Sequence, residues 1–297
     1  MQYAAFIMTF RRPKELSVMI EKLRTQSMPP AQILVVDNCP DGSAKDVATN
    51  QGCQYYFVGG NSGPAGAAYW GLKLLFNEGW DWVLWVDDDD PPVFEDQLKS
   101  LIEIIYKAPA NKKIGMVGCT GARFNYGKAR IERLKDKELQ GLLEVDVVAG
   151  NQFPLVSRKV YELGELPNPE IFFGLEELEY CLRLRRRGYS IVVSGELMHS
   201  FRARFKRLNF KRPIYQSKNI SSLWREYYSV RNMIFILKSH QKYMSLIYFG
   251  FKVLLKSLFG FKYGFIYGKK NMSALLLGMK DGYIDKFGIR LVPPSIN

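Results

Sequence analysis

Strand-like and helix-like segments alternate through the first 120 residues of this chain, and this alternation restricts the fold more than any other feature. "AAFIMTF" (residues 4–10) and "AQILVVDN" (31–38) are nearly continuous apolar runs, whereas residues 13–26 between them repeat apolar side chains at helical spacing. Strands that alternate with helices form right-handed βαβ units. Because the strands are so apolar, we expect an α/β fold in which helices cover both faces of a mostly parallel sheet.

Polar residues follow the strands at one edge of this predicted sheet. The predicted strands are residues 4–10, 31–38, 53–60, 81–90 and 113–121. The carboxyl ends of parallel strands share one edge, and ligands of open α/β sheets bind beyond that edge. The residues that this rule places there are Thr9, Asp37, Asn61 and Asp87.

The second half of the chain has a more varied pattern. The predicted segments are loops with short strands over residues 120–165, a helix from about Leu175 to Arg187, a strand over 190–201 and helices from Ile220 onward. We therefore expect one domain over residues 1–218, whose two halves meet at about residues 120–121. A helical extension is expected over residues 219–297.

The extension contains an apolar stretch, "SLIYFGFKVLLKSLFGFKYGFIYGKK", that Lys252, Lys256 and Lys262 interrupt. A membrane-spanning helix needs about 20 largely uncharged residues, so no spanning helix is predicted. Two interpretations stay open. The helices lie in a membrane interface, where lysine and aromatic side chains are common, or they form part of the protein core with the lysines pointing outward.

The chain carries a formal net charge of +13, and the basic excess gathers after Arg183. Nucleic acid, an anionic membrane surface and acidic substrates all suit such a charge. The four cysteines show no paired spacing, which predicts neither a disulfide framework nor a zinc site. Since the first residues do not resemble a signal peptide, we expect a cytoplasmic protein. Under the membrane-interface interpretation it would be peripheral on the inner face of the cell membrane; under the core interpretation it would not.

Four consecutive carboxylates, residues 87–90, end the predicted fourth strand in "WVDDDDPP". Two unit charges about 4 Å apart repel by roughly 4 kcal/mol at an effective dielectric constant near 20. Capping of the next helix, before Pro91, would use one or two of these acids. A divalent cation accounts for the others, because Mg²⁺ and Mn²⁺ bind carboxylates together with substrate phosphates. Asp87 and Asp89 would then face the same side of the extended chain, and Asp88 would face a different side.

Five segments occur in a recognisable order: "TFRRP", "ILVVDN", "NSGPAGA", "WVDDDD" and "GLEELEYCLRLRRRGY". Together they resemble family-2 glycosyltransferases of the GT-A fold, over about residues 1–205. The resemblance is nearest to the bacterial galactofuranosyl- and rhamnosyl-transferase branch. It implies a Rossmann-like, nucleotide-binding α/β sheet with a helical C-terminal extension. Within the domain it implies a donor half over about residues 1–120 and an acceptor half over about residues 121–218.

The resemblance also implies a nucleotide site at the predicted edge of the sheet. Thr9 and Arg12 would hold the nucleotide, with Arg12 near the diphosphate. Asp37 would accept a hydrogen bond from the imide of a uracil or thymine base. Asn61 would begin a glycine-rich loop that approaches the sugar nucleotide, and Asp88 would lie toward the ribose.

A metal site is implied by the same comparison. Asp87 and Asp89 match the family's DxD positions, whose Mn²⁺ or Mg²⁺ bridges the donor diphosphate. His199, at the predicted end of a strand, would complete the coordination. The additional Asp90 leaves the register open, with Asp88 and Asp90 as the alternative pair.

Glu177 matches the position of the family's general base, which deprotonates the acceptor hydroxyl. The family usually has Asp here, so Glu176 stays open as the alternative base. An acidic helix start stabilised by a Glu179–Arg183 pair is the structural alternative. The residues expected to line the acceptor pocket are Gly150, Asn151 and Glu176.

These assignments predict an inverting, metal-dependent hexosyltransferase. It would move a sugar from a UDP- or dTDP-sugar to a hydroxyl of a lipid-linked bacterial cell-surface glycan. A sugar-phosphate nucleotidyltransferase is the first alternative, but "TFRRPKEL" lacks the expected glycine-rich loop. A basic nucleic-acid-binding protein is the second, and it would leave the acidic cluster unexplained, so no nucleic-acid partner is expected. No chemistry is assigned to "YYSVRN" (residues 227–232) or to His240.

Overall fold

A computed structural model describes residues 1–210 and 218–291 of the chain, which form two compact units. The first unit comprises Met1–Arg123, Arg133–Pro169 and Glu177–Asn209. The second comprises Phe124–Glu132, Glu170–Glu176 and the described residues from Phe210 onward.

Strands and helices alternate as the sequence predicts. The strands of the described residues are β1 (Ala4–Thr9), β2 (Gln32–Asp37), β3 (Gln54–Phe57), β4 (Trp82–Asp87), β5 (Ile114–Gly118), β6 (Ala122–Asn125), β7 (Arg130–Arg133), β8 (Leu142–Val145), β9 (Leu155–Ser157) and β10 (Ser190–Ser194). The α-helices are α1 (Pro13–Arg24), α2 (Ser43–Asn50), α3 (Gly63–Asn77), α4 (Gln97–Lys107), α5 (Arg158–Tyr161), α6 (Glu176–Arg186), α7 (Gly195–Arg204), α8 (Trp224–Ser239), α9 (Tyr243–Phe259) and α10 (Phe265–Tyr283).

Eight strands form one sheet with the order β3-β2-β1-β4-β9-β5-β10-β8, while β6 pairs with β7. The pairs β2–β3, β1–β2, β1–β4 and β5–β10 are parallel. Two strands run the other way: β9 pairs antiparallel with β4 and β5, and β8 with β10. The prediction of a mostly parallel α/β sheet is confirmed, and the insertion of β9 between β4 and β5 is a long-range pairing that no local pattern predicts.

Alternate residues of each strand pack on opposite faces of the sheet, as the two-residue repeat requires. On β1, Phe6 joins a core cluster that includes residues of α3 and α6, and Ile7 joins a second cluster that includes residues of α1 and α4. Helix α3 approaches β1 closely because it carries Gly71, where a Cβ would lie 2.3 Å from the Phe6 ring. Helices therefore cover both faces, as predicted.

The predicted strand over residues 190–201 is wrong in its second half. Strand β10 ends at Ser194, and α7 begins at the next residue. The Ser194 Oγ caps this helix by accepting a 3.2 Å hydrogen bond from the Leu197 N–H, which favours helix initiation over further strand. The neighbouring predicted helix is confirmed as α6.

The second unit is largely helical, as predicted for the C-terminal region. Helix α8 is buried along most of its length, and Tyr227 on it donates a 2.7 Å hydrogen bond to Asp281 on α10. Within the described ranges, one helical stretch, Tyr243–Tyr263, is long and apolar enough to cross a membrane. Only its length and composition are the basis of this statement.

Candidate active site

The carboxyl ends of β1, β2 and β4 meet at one edge of the sheet. Thr9 is paired with Asp37 on the neighbouring strand, and Met8 is paired with Asp87 on the other side. Because these strands are parallel and adjacent, the polar residues that follow them come together from positions far apart in sequence. The first unit thus has a polar site at the predicted edge.

Asp37 is fully buried at the end of β2. Its Oδ1 accepts a 2.8 Å hydrogen bond from the Cys39 N–H, and its Oδ2 accepts a 3.0 Å bond from the Tyr55 hydroxyl. Burial raises the pKa of Asp37, and the hydrogen bonds from Cys39 and Tyr55 oppose that rise. Burial and the contact with Asp37 also raise the pKa of Tyr55 to about 12, which keeps the phenol a hydrogen-bond donor. A carboxylate has about four lone-pair sites, so Asp37 keeps capacity for a further donor.

Asn38 connects this strand end to the predicted glycine-rich loop. Its Oδ1 accepts hydrogen bonds from the N–H (3.2 Å) and hydroxyl (2.7 Å) of Ser62, and its Nδ2 donates to the Gly63 carbonyl at 3.2 Å. Asn61 accepts a 3.0 Å bond from the Gly63 N–H and so shapes the turn into α3. Asn38 and Tyr55 were not among the predicted site residues. The signal for Asn38 was its place directly after Asp37 at a strand end.

Asp88 is held on the β1 side of the acidic cluster. The Thr9 hydroxyl donates to its Oδ2 at 2.7 Å, and Arg12 Nη1 donates to its Oδ1 at 3.1 Å. Arg12 also forms an ion pair with Asp89, which is more exposed. Burial raises the pKa of Asp88 despite these partners. Thr9, Arg12 and Asp88 are therefore in direct contact, and Arg12 partly compensates the charge of the cluster.

Asp87 lies on a different side, next to Gly150 and Glu177. The Gly150 N–H donates a 2.8 Å hydrogen bond to Glu177 Oε1. A Cβ at position 150 would lie 3.0 Å from Asp87 Oδ1 and 3.2 Å from Glu177 Oε1, so only glycine leaves the space between the two carboxylates open. Residues 87, 150 and 177, which are distant in sequence, are thus adjacent here.

Both carboxyl groups are electrostatically unusual. Burial raises the pKa of Asp87 well above its ordinary value, and the charges of Glu177 and the other three acids of the cluster add to the rise. Burial also raises the pKa of Glu177, although its bond from Gly150 opposes this. Asp87 Oδ1 is buried and has no hydrogen-bond partner among the described residues. A buried carboxylate oxygen without a donor, beside other carboxylates, fits a cation.

One further contact positions the loop that contains Gly150. Asn151 Nδ2 donates a 3.0 Å hydrogen bond to Asp90 Oδ2, so the last acid of the cluster is tied to this loop. Gly150 and Asn151 therefore lie beside the acidic cluster rather than apart from it. Glu176, the remaining residue predicted for the acceptor site, is buried at the start of α6.

Glu179, another acid of α6, forms an ion pair with Arg183 instead of contacting Gly150. Arg183 Nε donates to Glu179 Oε1 at 2.7 Å, and Arg183 also pairs with Glu165, which accepts a 2.7 Å bond from Arg187 as well. The structural alternative therefore applies to Glu179. Glu177, which contacts Gly150 instead, belongs to the polar site.

His199 does not lie where the sequence analysis expected it. It is exposed on α7, not at the end of a strand. Within residues 1–210 and 218–291, no three His, Cys, Asp or Glu side chains group closely enough to hold one metal ion, so His199 is not brought together with Asp87 and Asp89. The cause is the Ser194 cap, which turns the chain into a helix five residues earlier than His199.

Known protein sequences match part of this chain. The family model described as "Glycosyl transferase family 2" matches residues 4–162, which include the acidic cluster and Gly150. Galactofuranosyltransferase GlfT1 of Mycobacterium tuberculosis is 34% identical over 90 residues, 29% of this chain and 29% of that protein. GlfT1 of Mycolicibacterium smegmatis is 29% identical over 100 residues, 33% of each chain. The matches thus span a third or less of these relatives' own length.

Solved structures share the fold at low sequence identity. Mannosyltransferase PcManGT from Pyrobaculum calidifontis, in complex with GDP-Man and Mn²⁺, aligns with a TM-score of 0.54 at 12% identity, covering 96% of this chain and 88% of that one. GalNAc-T7 with UDP, GalNAc and Mn²⁺ aligns with a TM-score of 0.55 at 12% identity, covering 96% and 56%. The predicted resemblance to galactofuranosyltransferases is found over about a third of the chain, and the chain belongs to glycosyl transferase family 2.

Proposed function

We propose that this protein is an inverting, metal-dependent glycosyltransferase that moves a sugar from a UDP- or dTDP-sugar to a hydroxyl of a lipid-linked bacterial cell-surface glycan. One observation carries the proposal: Asp87 and Glu177 lie on either side of Gly150 at the carboxyl edge of the sheet. A cation ligand and a general base are the two groups that single-displacement glycosyl transfer requires at one place.

The nucleotide half of the site would be formed by the ends of β1 and β2. Asp37 would accept the imide hydrogen of the base, since its carboxylate retains acceptor capacity beyond Cys39 and Tyr55. Thr9 and Asp88, already joined by a hydrogen bond, would face the ribose, and Arg12 would pair with a phosphate. The loop begun by Asn61 would approach the sugar through its glycine backbone.

Asp87 and Asp89 would hold the divalent cation, which would neutralise charge on the departing nucleoside diphosphate. Mn²⁺ and Mg²⁺ both suit a site of carboxylate oxygens. The relatives' structures with bound Mn²⁺ support a divalent metal in this fold. Asp89 pairs with Arg12, Asp88 bonds to Thr9 and Arg12, and Asp90 bonds to Asn151. The pair that includes Asp87 is favoured over Asp88 and Asp90 because Asp87 Oδ1 is buried without a hydrogen-bond partner among the described residues.

Glu177 would act as the base. The acceptor O–H bond breaks as its proton passes to Glu177, the acceptor oxygen bonds to the anomeric carbon, and the bond from that carbon to the diphosphate breaks on the opposite face. The burial that raises the pKa of Glu177 makes the ionised carboxylate a stronger base. Gly150 would hold one oxygen of Glu177 in position while the other remains available.

The proposal is tested with the purified protein, a panel of UDP- and dTDP-sugars, and Mn²⁺ or Mg²⁺. We expect metal-dependent thermal stabilisation by the matching nucleoside diphosphate and slow release of that diphosphate from the donor sugar. With an acceptor, the NMR coupling at the new anomeric centre should show inversion. If no nucleotide stabilises the protein with either metal, the proposed function is wrong; retention of configuration would disprove the single displacement.

A further inference from the structure

Helix α9 and the start of α10 expose an unusually large apolar surface. Eight large apolar side chains there are at least 60% exposed. Six of these we call the α9 face: Met244, Ile247, Phe251, Leu258, Phe265 and Ile266. Water-soluble surfaces rarely expose contiguous apolar patches of this kind unless they bind a partner.

The opposite side of α9 packs inside the second unit. Leu246, Phe249 and Val253 on this side are buried. A helix with one side packed against protein is not surrounded by lipid, and α9 also carries Lys252 near its middle and Lys256 in its last turn. The stretch therefore has the one-sided character of a helix that lies in the plane of a membrane, not of one that crosses it.

Charge identifies the kind of partner. No Asp or Glu occurs between Glu226 and Asp281, whereas that stretch contains eight lysines and Arg231. Three of these lysines, Lys252, Lys262 and Lys269, are exposed along or next to the α9 face. A second copy of this chain would bring like charges together, while an anionic lipid surface matches both the apolar side chains and the lysines.

We propose that the α9 face docks this protein on an anionic lipid bilayer, with α9 parallel to the membrane plane. The apolar side chains enter the boundary between headgroups and acyl chains, and the lysines remain at the headgroups. Binding then has an apolar part that salt does not screen and an electrostatic part that salt weakens.

Flotation of the full chain with vesicles tests this. The wild type should float with phosphatidylcholine–phosphatidylglycerol vesicles and much less with phosphatidylcholine alone. Ile247→Glu with Phe251→Glu should abolish flotation without unfolding, because both side chains are exposed. Lys262→Ala should lower the partition coefficient roughly fivefold on anionic vesicles. The matched control is Tyr106→Glu, a 68% exposed aromatic on α4, which should float like the wild type.

Two results would overturn the membrane assignment. One is equal flotation of wild type and the Ile247→Glu/Phe251→Glu variant. The other is a wild type that binds neither kind of vesicle and sediments as a dimer, while the double variant sediments as a monomer. That result would assign the α9 face to a second copy of this chain.

A second inference rests on the segment "YYSVRN", whose last two residues, Arg231 and Asn232, are completely buried on α8. Both bond to the backbone of residues 171–174 in the same unit. Asn232 Nδ2 donates to the carbonyls of Gly174 (2.7 Å), Phe173 (2.9 Å) and Ile171 (3.3 Å). Arg231 Nη2 donates to the Ile171 carbonyl at 2.6 Å, and its Nε donates to Asn232 Oδ1 at 3.0 Å.

The segment that these side chains hold has an unfavourable backbone. Phe172 (φ 62°) and Leu175 (φ 68°) are in the left-handed region, which bulky L residues rarely adopt. Such residues persist where surrounding contacts hold them. Helix α6 begins directly afterwards at Glu176, and Glu177 is its second residue. The conformation of residues 171–175 thus sets where the first turn of α6 begins.

We infer that Asn232 is a positioning residue for the general base, acting through residues 171–174. The inference rests on the proposed function, since it takes Glu177 as the base. Loss of Asn232 frees the segment, so the first turn of α6 and the Glu177 carboxylate no longer stay fixed relative to the acceptor hydroxyl. Misplacement of this kind lowers turnover more than donor binding.

The test compares Asn232→Ala with Asn271→Ala. Asn271 is also buried in the second unit and also donates to a carbonyl, that of Lys256 at 3.2 Å, but does not contact residues 171–174. We expect Asn232→Ala to lower kcat roughly tenfold or more with the donor KM unchanged. Asn271→Ala should lower the melting temperature with kcat unchanged.

Equal kcat in the Asn232→Ala variant and the wild type would disprove the positioning role, as would an equal loss in both variants. Glu177→Gln separates this from failure of the proposed function. If Glu177→Gln keeps full turnover, the base assignment is wrong; if it loses turnover while Asn232→Ala keeps it, only the positioning role is wrong.

Discussion

The backbone N–H of Gly150 donates a 2.8 Å hydrogen bond to Oε1 of Glu177, and the same glycine leaves room for Asp87 on its other side. The loop after β8 therefore separates two half-buried carboxyl groups, and desolvation raises the pKa of both.

Gly150→Ala should lower turnover roughly ten- to a hundredfold, because the new methyl forces Asp87 and Glu177 to shift by tenths of an ångström. Steady-state kinetics measures this. Gly127→Ala is the control, since its methyl would meet only Asn125 Oδ1 at 3.5 Å. Full activity of Gly150→Ala would show that the space beside this glycine is not used.

Glu177→Gln and Glu179→Gln should have opposite effects. The first removes the base, so kcat should fall roughly 10²- to 10⁴-fold while Mn²⁺ and UDP still stabilise the protein. The second breaks the bidentate contact with Arg183, so it should lower stability with kcat preserved. Kinetics and thermal melting distinguish the two. The reverse pattern would show that Glu177 is not the general base.

Asp87→Asn should stabilise the protein without metal and abolish stabilisation by Mn²⁺ with UDP. Burial and neighbouring carboxylates raise the pKa of Asp87, so its charge opposes folding at neutral pH and a neutral amide removes that cost. Melting temperatures with and without Mn²⁺ measure both effects. A melting temperature of Asp87→Asn below that of the wild type, both without metal, would show that the Asp87 charge does not oppose folding.

Glu226 should make stability depend on acid pH. Burial raises its pKa, but Lys256 (2.6 Å) and Lys218 (2.5 Å) outweigh burial, so the folded-state pKa lies below the ordinary value. The stabilisation by these ion pairs is therefore fully present above the unfolded-state pKa of about 4.3. It is lost as the pH falls through the lower, folded-state pKa of Glu226.

Glu226→Gln should accordingly lower the free energy of unfolding by about 1–2 kcal/mol at pH near 7, less than for a fully buried pair because both lysines are partly exposed. The difference from wild type should vanish in strong acid. Urea unfolding across the pH range measures it. Glu103→Gln, which breaks an exposed pair with Lys107, is the control and should change little. A pH-independent difference would point to packing instead of charge.

Local patterns predicted the elements of the fold well. The apolar runs before Thr9, Asp37 and Asp87 became β1, β2 and β4, because near-continuous apolar strands are stable only between two layers of helices. The rule for parallel sheets then placed their polar ends at one edge. The error at residues 195–201 arose because the Ser194 cap starts a helix within an otherwise strand-like pattern.

The sequence by itself determined the α/β architecture, the family and the acidic cluster, because these follow from periodicity and from residues adjacent in the chain. Only the tertiary structure decided that Gly150 lies between Asp87 and Glu177, that Asp88 turns toward Thr9, and that His199 is exposed on a helix. Those outcomes depend on which strands and loops are neighbours, and β9 takes its place between β4 and β5 through long-range pairing. Contacts between distant segments are set by packing of the whole unit, which no local pattern encodes.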